Sequence, residues 1–452
     1  MGLVNVVLLS TYELGHQPFG LASPAAWLRK RGYAVTCVDL SRETPREQTI
    51  RDAGLIAFYV PMHTATRLVM EALPSIRRIN LTAHLCAYGL YAALSADVLR
   101  AQGIATFLGG EFEQGLVDLA EHLSRSSALP QIHALDSNVS RIRLKFQVPD
   151  RTGLPPLREY AHLVHPSGEH RVAGYTEASR GCKHLCRHCP VVPVYQGRFR
   201  IVQPAVVLED IRRQVEAGAQ HITFGDPDFL NGPVHAERVV DALHRQWPEL
   251  TYDVTVKVEH LLAQREMLPR LKATGCAFVT SAVESFDDAV LGKFAKGHTY
   301  GDFVEALRLM RAADLPLSPT FIPFTPWTTY ESYRDFLRRL VELDLATQAA
   351  PIQLAIRLLI PEGSLLLELP EIRDRIQPFD TRGLCYPWRS CDPKLDELCL
   401  TMQAAIQQGE RRCVGRAALF ERIWEMAGCG TFPGLPLPAR ATIPYLTEPW
   451  YC

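Results

Sequence analysis

Three cysteines, Cys182, Cys186 and Cys189, lie in the segment Arg180-Gly-Cys-Lys-His-Leu-Cys-Arg-His-Cys-Pro190 and offer three thiolates from one short loop. The C-x3-C-x2-C spacing suits three irons of a cubane 4Fe–4S cluster. Iron–sulfur sites normally take four cysteines, so the fourth iron would lack a protein ligand and stand open to a small molecule. The same thiolates joined by His184 or His188 would instead make a tetrahedral Cys3His zinc site, the staple of a binding protein rather than an enzyme. That spacing is less usual for zinc than paired C-x2-C knuckles, and no second knuckle follows.

Such a loop needs a rigid frame, and the rest of the chain supplies the pattern of one. Residues 1–125 alternate apolar runs at 4–9, 34–40, 55–60, 84–88 and 105–108 with amphipathic stretches at 23–30, 64–78 and 92–102. The runs predict strands and the stretches helices. Parallel strands need crossover helices, so the alternation predicts an α/β domain with a doubly wound, Rossmann-like sheet. Ligands of such sheets sit at the carboxyl ends of the strands. No G-x-G-x-x-G occurs there, so a dinucleotide is not expected. Residues 126–170, with Pro130, Pro149, Pro155, Pro156 and Pro166, read as a linker. Over 171–374 strands are expected near 174–178, 221–224, 252–258, 277–282, 317–323 and 352–359. Helices are expected near 204–217, 235–246, 259–274, 303–313 and 330–343. These units predict a partial (β/α)6 barrel with the cysteine loop after its first strand, at the face where barrel chemistry is placed. Residues 375–452 read as a mostly helical, cysteine-bearing tail.

Bulk properties narrow the class. Hydrophobic content of 47% and charged content of 21% are those of an ordinary globular protein. A net charge of −1 supplies no field for nucleic acid or an anionic membrane. No apolar run reaches the roughly 18 residues of a membrane span. The start, Met-Gly-Leu-Val-Asn-Val-Val-Leu-Leu-Ser, reads as a first strand rather than a signal peptide. Twelve cysteines scattered singly through apolar segments do not resemble a disulfide framework, and a reducing cytoplasm fits them.

The cysteine segment closely resembles the signature of the radical S-adenosylmethionine (SAM) superfamily. The resemblance implies a 4Fe–4S cluster on Cys182, Cys186 and Cys189, SAM on the open iron, and an electron from the cluster that cleaves the sulfonium to a carbon radical. Phe224-Gly-Asp-Pro-Asp-Phe229 stands where that family has Gly-Gly-Glu-type residues for the SAM ammonium, which points to Asp226 or Asp228. A plain Asp-Pro turn at a strand end would also account for the phrase. Ala282-Val-Glu-Ser285 and Lys296-Gly-His-Thr299 resemble phrases of cobalamin-type and methylthio-type members. They imply Glu284 and Ser285 against SAM's ribose and methionine portions, with Thr299 as the N-cap of the next helix. Ile360-Pro-Glu-Gly-Ser364 resembles the turn that closes the adenine pocket. At 319–329 prolines and aromatics replace a Gly-rich turn, which implies a stiffer, bulkier wall beside the substrate. The N-terminal phrases Phe19–Asp39 and Leu108-Gly-Gly-Glu-Phe-Glu-Gln-Gly115 are similar to the cobalamin-binding domain that precedes many radical SAM domains. The cobalt-ligating Asp-x-His-x-x-Gly is absent, so cobalamin stands as a candidate third cofactor beside a relic fold kept for packing.

The tail holds Cys385, Cys391, Cys399, Cys413, Cys429 and Cys452. Most are expected to be core cysteines. Thr447-Glu-Pro-Trp-Tyr-Cys452 resembles the approach to the tail of the CUAEP/CCAEP-tail radical SAM proteins, with the expectation that the chain reads on through a selenocysteine codon. That group overlaps the enzymes of arsinothricin biosynthesis. The resemblance therefore implies transfer of SAM's 3-amino-3-carboxypropyl group to trivalent arsenic, with Cys452 as a catalytic thiol suited to a thiophilic element. Cobalamin-dependent methylation is the rival within the class. Either way the implied protein is a transferase acting on a small molecule, reduced by a flavodoxin or ferredoxin, without nucleic acid or membrane as partner.

Overall fold

The computed structural model describes residues 3–125, 144–434 and 441–448. Strands β1 (Val6–Ser10), β2 (Val35–Asp39), β3 (Leu55–Tyr59), β4 (His84–Tyr88) and β5 (Thr106–Leu108) form a parallel sheet in the order β2-β1-β3-β4-β5. This is the Rossmann-like, doubly wound order in which strand succession reverses between β1 and β3. Val6, Leu8, Leu55 and Ala57 enter the core on one face, and Val7, Leu9, Ile56 and Phe58 that on the other. Burial on both faces is why these strands read as unbroken apolar runs. The first helix starts at Phe19 rather than at residue 23. The Glu13 carboxylate accepts the backbone N–H of Phe19 at 3.1 Å and of Gly20 at 3.5 Å, donors that Pro18 at the N-cap cannot satisfy. The helix expected over 92–102 is broken at Ser95 into Leu90–Leu94 and Ala96–Ala101.

The second sheet gathers β6 (His162–Val164), β7 (His170–Thr176), β10 (His221–Phe224), β11 (Thr251–Thr255), β12 (Cys276–Glu284), β13 (Leu317–Phe321) and β14 (Tyr445–Leu446), in the order β13-β12-β11-β10-β7-β6-β14. A short hairpin of β8 (Ser179–Gly181) and β9 (Phe199–Ile201) follows β7 and frames the cysteine loop. Strands β7 and β10–β13 are parallel and form a half barrel, extended at one edge by antiparallel β6 and β14. The sixth barrel strand expected at 352–359 does not form. Pro351–Leu354 is a 3-10 turn, and only a single bridge joins Arg357 to Phe324. Pro351 has no N–H to give a ladder, and the turn uses the carbonyls that follow. The helix expected over 259–274 is two, Val258–Ala263 and Met267–Ala273, parted by the polar surface residues Gln264, Arg265 and Glu266.

The tail is mostly helical. Pro393–Arg411 and Arg416–Met426 pack Leu395, Met402, Phe420 and Trp424 into the core beneath the barrel helices. The last described stretch adds β14 to β6 and brings Glu448 within 2.8 Å of His16 Nε2 in the N-terminal domain. Among the described residues every cysteine is free, and no helix is long and apolar enough to cross a membrane. Cys452 lies outside the described residues.

Candidate active site

The cysteine loop is pinned from four directions. At its start Gly181 has φ +73°, and a Cβ there would fall 2.4 Å from the Arg198 carbonyl oxygen and from the Tyr195 ring, so only glycine passes. The Lys183 N–H donates to Asn231 Oδ1 at 3.2 Å, and the Cys182 thiol reaches the same oxygen at 3.9 Å. The Arg187 N–H donates to the Phe294 carbonyl at 2.9 Å, and Ser364 Oγ donates to the Arg187 carbonyl at 3.1 Å. That last bond ties the Pro361–Ser364 turn to the loop. Burial raises the Cys182 thiol and pushes Cys189 up to about 12. The backbone N–H groups of His184 and Val191 work against this by pointing at the two sulfurs, while the neighbouring thiols reinforce it. Thiols held in this way ionise when a metal replaces the proton.

The donor set fits an iron–sulfur cluster better than zinc. A tetrahedral zinc with Zn–S near 2.3 Å holds its ligand atoms roughly 3.8 Å apart. Among the described residues the one grouping of that size is Cys182, His184 and Asp228, whose ligand atoms lie within 4.8 Å of one another. It takes a single thiol. His188 is turned away, its Nε2 3.1 Å from Glu284 Oε1 and its ring 4.4 Å from that of Phe294. No Cys3His set assembles.

The two aspartates after β10 part company. Asp226 accepts the Ala178 N–H at 2.9 Å and the Ser179 hydroxyl at 2.5 Å, which clasps β10 to the base of the loop. Its burial pushes the carboxyl up to about 7 against those two hydrogen bonds. Asp228 is fully buried. Its Oδ1 caps the turn at Leu230, but Oδ2 has no aligned hydrogen-bond donor, although His260 Nδ1 stands 2.7 Å away and His184 Nε2 3.7 Å away. His184 Nε2 and Asn231 Nδ2 are buried and unpartnered beside it. Asp228 Oδ2 thus lies buried beside Cys182, within ion-pair reach of His260 and His184.

Glu284 ends β12 at a bulge, with φ +69°, and receives Lys296 Nζ at 3.3 Å and His188 Nε2 at 3.1 Å. Burial alone would raise its carboxyl, but Lys296 and then His188 hold it down to about 2. The Ser285 hydroxyl accepts the Asp287 N–H at 3.0 Å, and Ser285 borders with Glu284 a cavity of about 280 Å³ that reaches Asp335 and Arg339. Thr299 is the N-cap of helix Tyr300–Ala312 and shares a capping box with Asp302. Of the bulky residues at 319–329, Phe321 and Phe324 turn into the helix-facing core, Trp327 packs edge-on against Phe294, whose ring lies on His188 of the cysteine loop, and Ile322 and Pro323 border the cavity beside Glu284.

Sequence reading missed the largest polar assembly at the base of the loop. Arg180, 7% exposed, meets Glu111 Oε2 at 3.1 Å, Glu113 Oε1 at 2.7 Å and Glu177 Oε2 at 2.5 Å. Glu111 and Glu113 follow β5 in the N-terminal domain, so one guanidinium joins the two domains two residues before Cys182. The rings of Phe19, Phe112 and Phe146 pack around it. The Gly-Gly-Glu-Phe-Glu phrase after β5 was the only signal, and nothing local paired it with Arg180.

These features define a cluster-binding half barrel behind a Rossmann-like domain. Residues 176–340 match the Radical SAM superfamily. That stretch is a radical SAM domain, of the class whose cofactors are a 4Fe–4S cluster and SAM. It is 24% identical over 326 residues to the hopanoid C-3 methylase of Methylococcus capsulatus, covering 69% of this chain and 62% of that protein. It is 29% identical over 195 residues to a tRNA-2-methylthio-N(6)-dimethylallyladenosine synthase of Desulfosudis oleivorans, 40% of each chain. The chain thus spans less than two thirds of these curated relatives. Its fold resembles that of the cobalamin-dependent radical SAM enzyme OxsB with aqua-cobalamin bound, with a TM-score of 0.71 at 17% identity over 90% of this chain and 67% of that one. The methyltransferase TsrM from Kitasatospora setae, with tryptophan and a SAM analogue, gives 0.65 at 18% identity over 82% of this chain and 78% of that one.

Proposed function

We propose that this chain is a radical SAM transferase that modifies a small molecule, with Cys182, Cys186 and Cys189 holding the cluster and Asp228 receiving the ammonium of SAM. The observation that carries the reading is a loop of three free thiols with the buried Asp228 carboxylate beside Cys182, its Oδ2 in no aligned hydrogen bond. When bound, the cluster supplies the electron that cleaves the sulfonium of SAM. The protein binds, orients and excludes water. The His184 N–H points at the Cys182 sulfur, and such hydrogen bonds to sulfur tune a cluster's potential, while Asn231 Oδ1 holds the loop by accepting the Lys183 N–H. Glu284, ionised between Lys296 and His188, offers a fixed acceptor to the ribose hydroxyls. Asp226 serves the frame, not the ligand. Replacing any of the three cysteines by alanine should remove the iron and the absorption near 400 nm (roughly, for iron–sulfur charge transfer), and with them SAM cleavage. Full iron content and activity in one such variant would sink the assignment.

Methyl transfer with cobalamin is supported by the likeness of the fold to OxsB and TsrM. Two histidines after β1 and β3 are engaged, His16 with Glu448 and His63 with the Gly383 carbonyl. With no Asp-x-His-x-x-Gly, a corrinoid would be held without a protein ligand to cobalt, and its spectrum should be of the base-off type. Aminocarboxypropyl transfer to trivalent arsenic rests on the tail thiols. One of these, Cys385, shares a neighbour with the loop: Tyr91 lies in the fields of both Cys189 and Cys385. The products of SAM separate the readings. S-adenosylhomocysteine marks methyl transfer, and 5′-methylthioadenosine with arsenite marks aminocarboxypropyl transfer. A flavodoxin or ferredoxin is the proposed electron donor.

A further inference from the structure

The concave face of the half barrel carries an unused row of hydroxyls. Strand register sets Thr255 beside Thr280 and Thr280 beside Ser318, three hydroxyls abreast across β11, β12 and β13. At the usual strand spacing of about 4.8 Å the row spans roughly 10 Å. One step toward the carboxyl ends, Thr320 stands beside Ala282. The intervening Val254, Val279 and Phe321 are buried against the helices, so the two-residue period turns the hydroxyls to the opposite, half-buried face. None of the four hydroxyls has a hydrogen-bond partner among the described residues. The floor below is closed on itself, Asp253 Oδ1 taking both His221 Nε2 at 2.9 Å and Thr223 Oγ1 at 2.7 Å.

The rim above the row carries a buried ammonium. Lys257, 7% exposed, continues β11 on the face of Asp253 and Thr255, and its Nζ is 3.3 Å from Glu259, a half-exposed carboxylate that it shares with His184 Nδ1 at 3.4 Å. His298, also 7% exposed, lies in the fields of Lys296, Lys257 and Glu284 and faces the Val283 backbone carbonyl, with neither ring nitrogen in an aligned hydrogen bond. An apolar ligand on this face would take water from four hydroxyls, an imidazole and an ammonium and return nothing, and unpaired buried polar groups are costly. A ligand with its own acceptors and a negative charge would satisfy them.

We propose that this concave face is the substrate pocket and takes a small organic anion, a carboxylate or a phosphate ester, with Lys257 meeting the anionic group and Thr255, Thr280, Ser318 and His298 its polar groups. The proposal rests on the reading of the neighbouring loop as the cluster and SAM site. The test is the melting temperature of the reconstituted, full-length protein, with SAM saturating so that SAM itself is not what the row reports. The probes are the twenty amino acids, the nucleoside monophosphates, and a hopanoid in mixed micelles. At least one amino acid or nucleotide should raise the melting temperature by about 2–3 °C at a hundredfold excess over its Kd. Lys257→Met and, separately, the isosteric Thr280→Val should each weaken that binding at least tenfold with iron content unchanged. A response to amino acids alone or to nucleotides alone tells carboxylate from phosphate. The proposal is overturned if no anion of the panel acts, if the hopanoid alone does, or if the shift survives both substitutions. Failure of the cluster reading shows separately, as a protein that takes up no iron.

Discussion

Replacing Arg180 by methionine should be among the most damaging single changes to this chain. The guanidinium is the counterion of three carboxylates at 2.5–3.1 Å, two of them with fully buried side chains. Breaking a buried ion pair from one side costs about 3–5 kcal/mol, because the partner is left charged and unhydrated. Unfolding entropy of roughly 2.1 cal/mol/K per residue gives about 0.95 kcal/mol/K for a chain of this length. The melting temperature should therefore fall by about 3–5 °C if the chain melts as one unit. Burial pushes Glu111 up to about 7 even with Arg180 beside it, so at neutral pH that carboxyl is already near half-protonated and part of the loss is relieved by proton uptake. The loss should accordingly be larger at pH 8.5 than at pH 6. Adding Glu111→Gln and Glu113→Gln to Arg180→Met should recover at least half of it, since neutral amides need no counterion. Thermal melts of the single, double and triple variants, read by circular dichroism at both pH values, measure this directly. A drop below about 1 °C for Arg180→Met, or no recovery in the triple variant, would refute the argument that charge pairing rather than packing holds this junction.

Asp228→Asn should leave the iron content intact while raising the KM for SAM at least tenfold, the effect of losing a charge-assisted hydrogen bond of about 1.5–3 kcal/mol; equal KM in the two proteins would move the ammonium elsewhere. Asp226 gives a pH prediction. Its folded carboxyl is raised to about 7 from 3.8, so the folded state binds the extra proton between those values and stability falls as pH rises through that window. From pH 5 to pH 7 the loss is about 2 kcal/mol at ~1.4 kcal/mol per unit, the slope easing as the carboxyl reaches half-titration near pH 7. Asp226→Asn, which can still accept from Ala178 and donate to Ser179, should flatten the slope in melting temperature against pH, and an unchanged slope would assign it to other groups.

Much of the scaffold was legible because burial on both faces writes strands as apolar runs, and all five strands of the first domain fall within two residues of their expected bounds. The sixth barrel strand was not. Residues 352–359 are apolar enough for a strand, yet Pro351 and the 3-10 turn after it spend the same hydrophobicity on packing under the tail helices. The early start of the first helix depends on Glu13, five residues upstream of the Pro18 N-cap and outside any local capping pattern. In the site, the Thr299 cap followed from the family-like phrase around it, because a cap is a local object. The different partners of Asp226 and Asp228 were not legible, since Asp226 is engaged by Ala178 and Ser179 about 47 residues earlier. The burial of Phe321 was hidden for a related reason: alternation fixes that it faces one side of the sheet, but only the helices decide which side is dry.

The Arg180 junction also bears on how the chain is made. Glu111 is separated from Arg180 by 69 residues, and the helix that carries Glu113 is complete at Arg125. At roughly 5–20 residues per second, a nascent first domain would wait about 3–14 s for its counterion to be synthesised. During that interval its sheet can form, but the edge that will meet the barrel holds carboxylates that keep it hydrated. The charge that later locks the two domains together thus first acts as a guard, delaying closure of that edge until the strand leading into the cysteine loop has emerged.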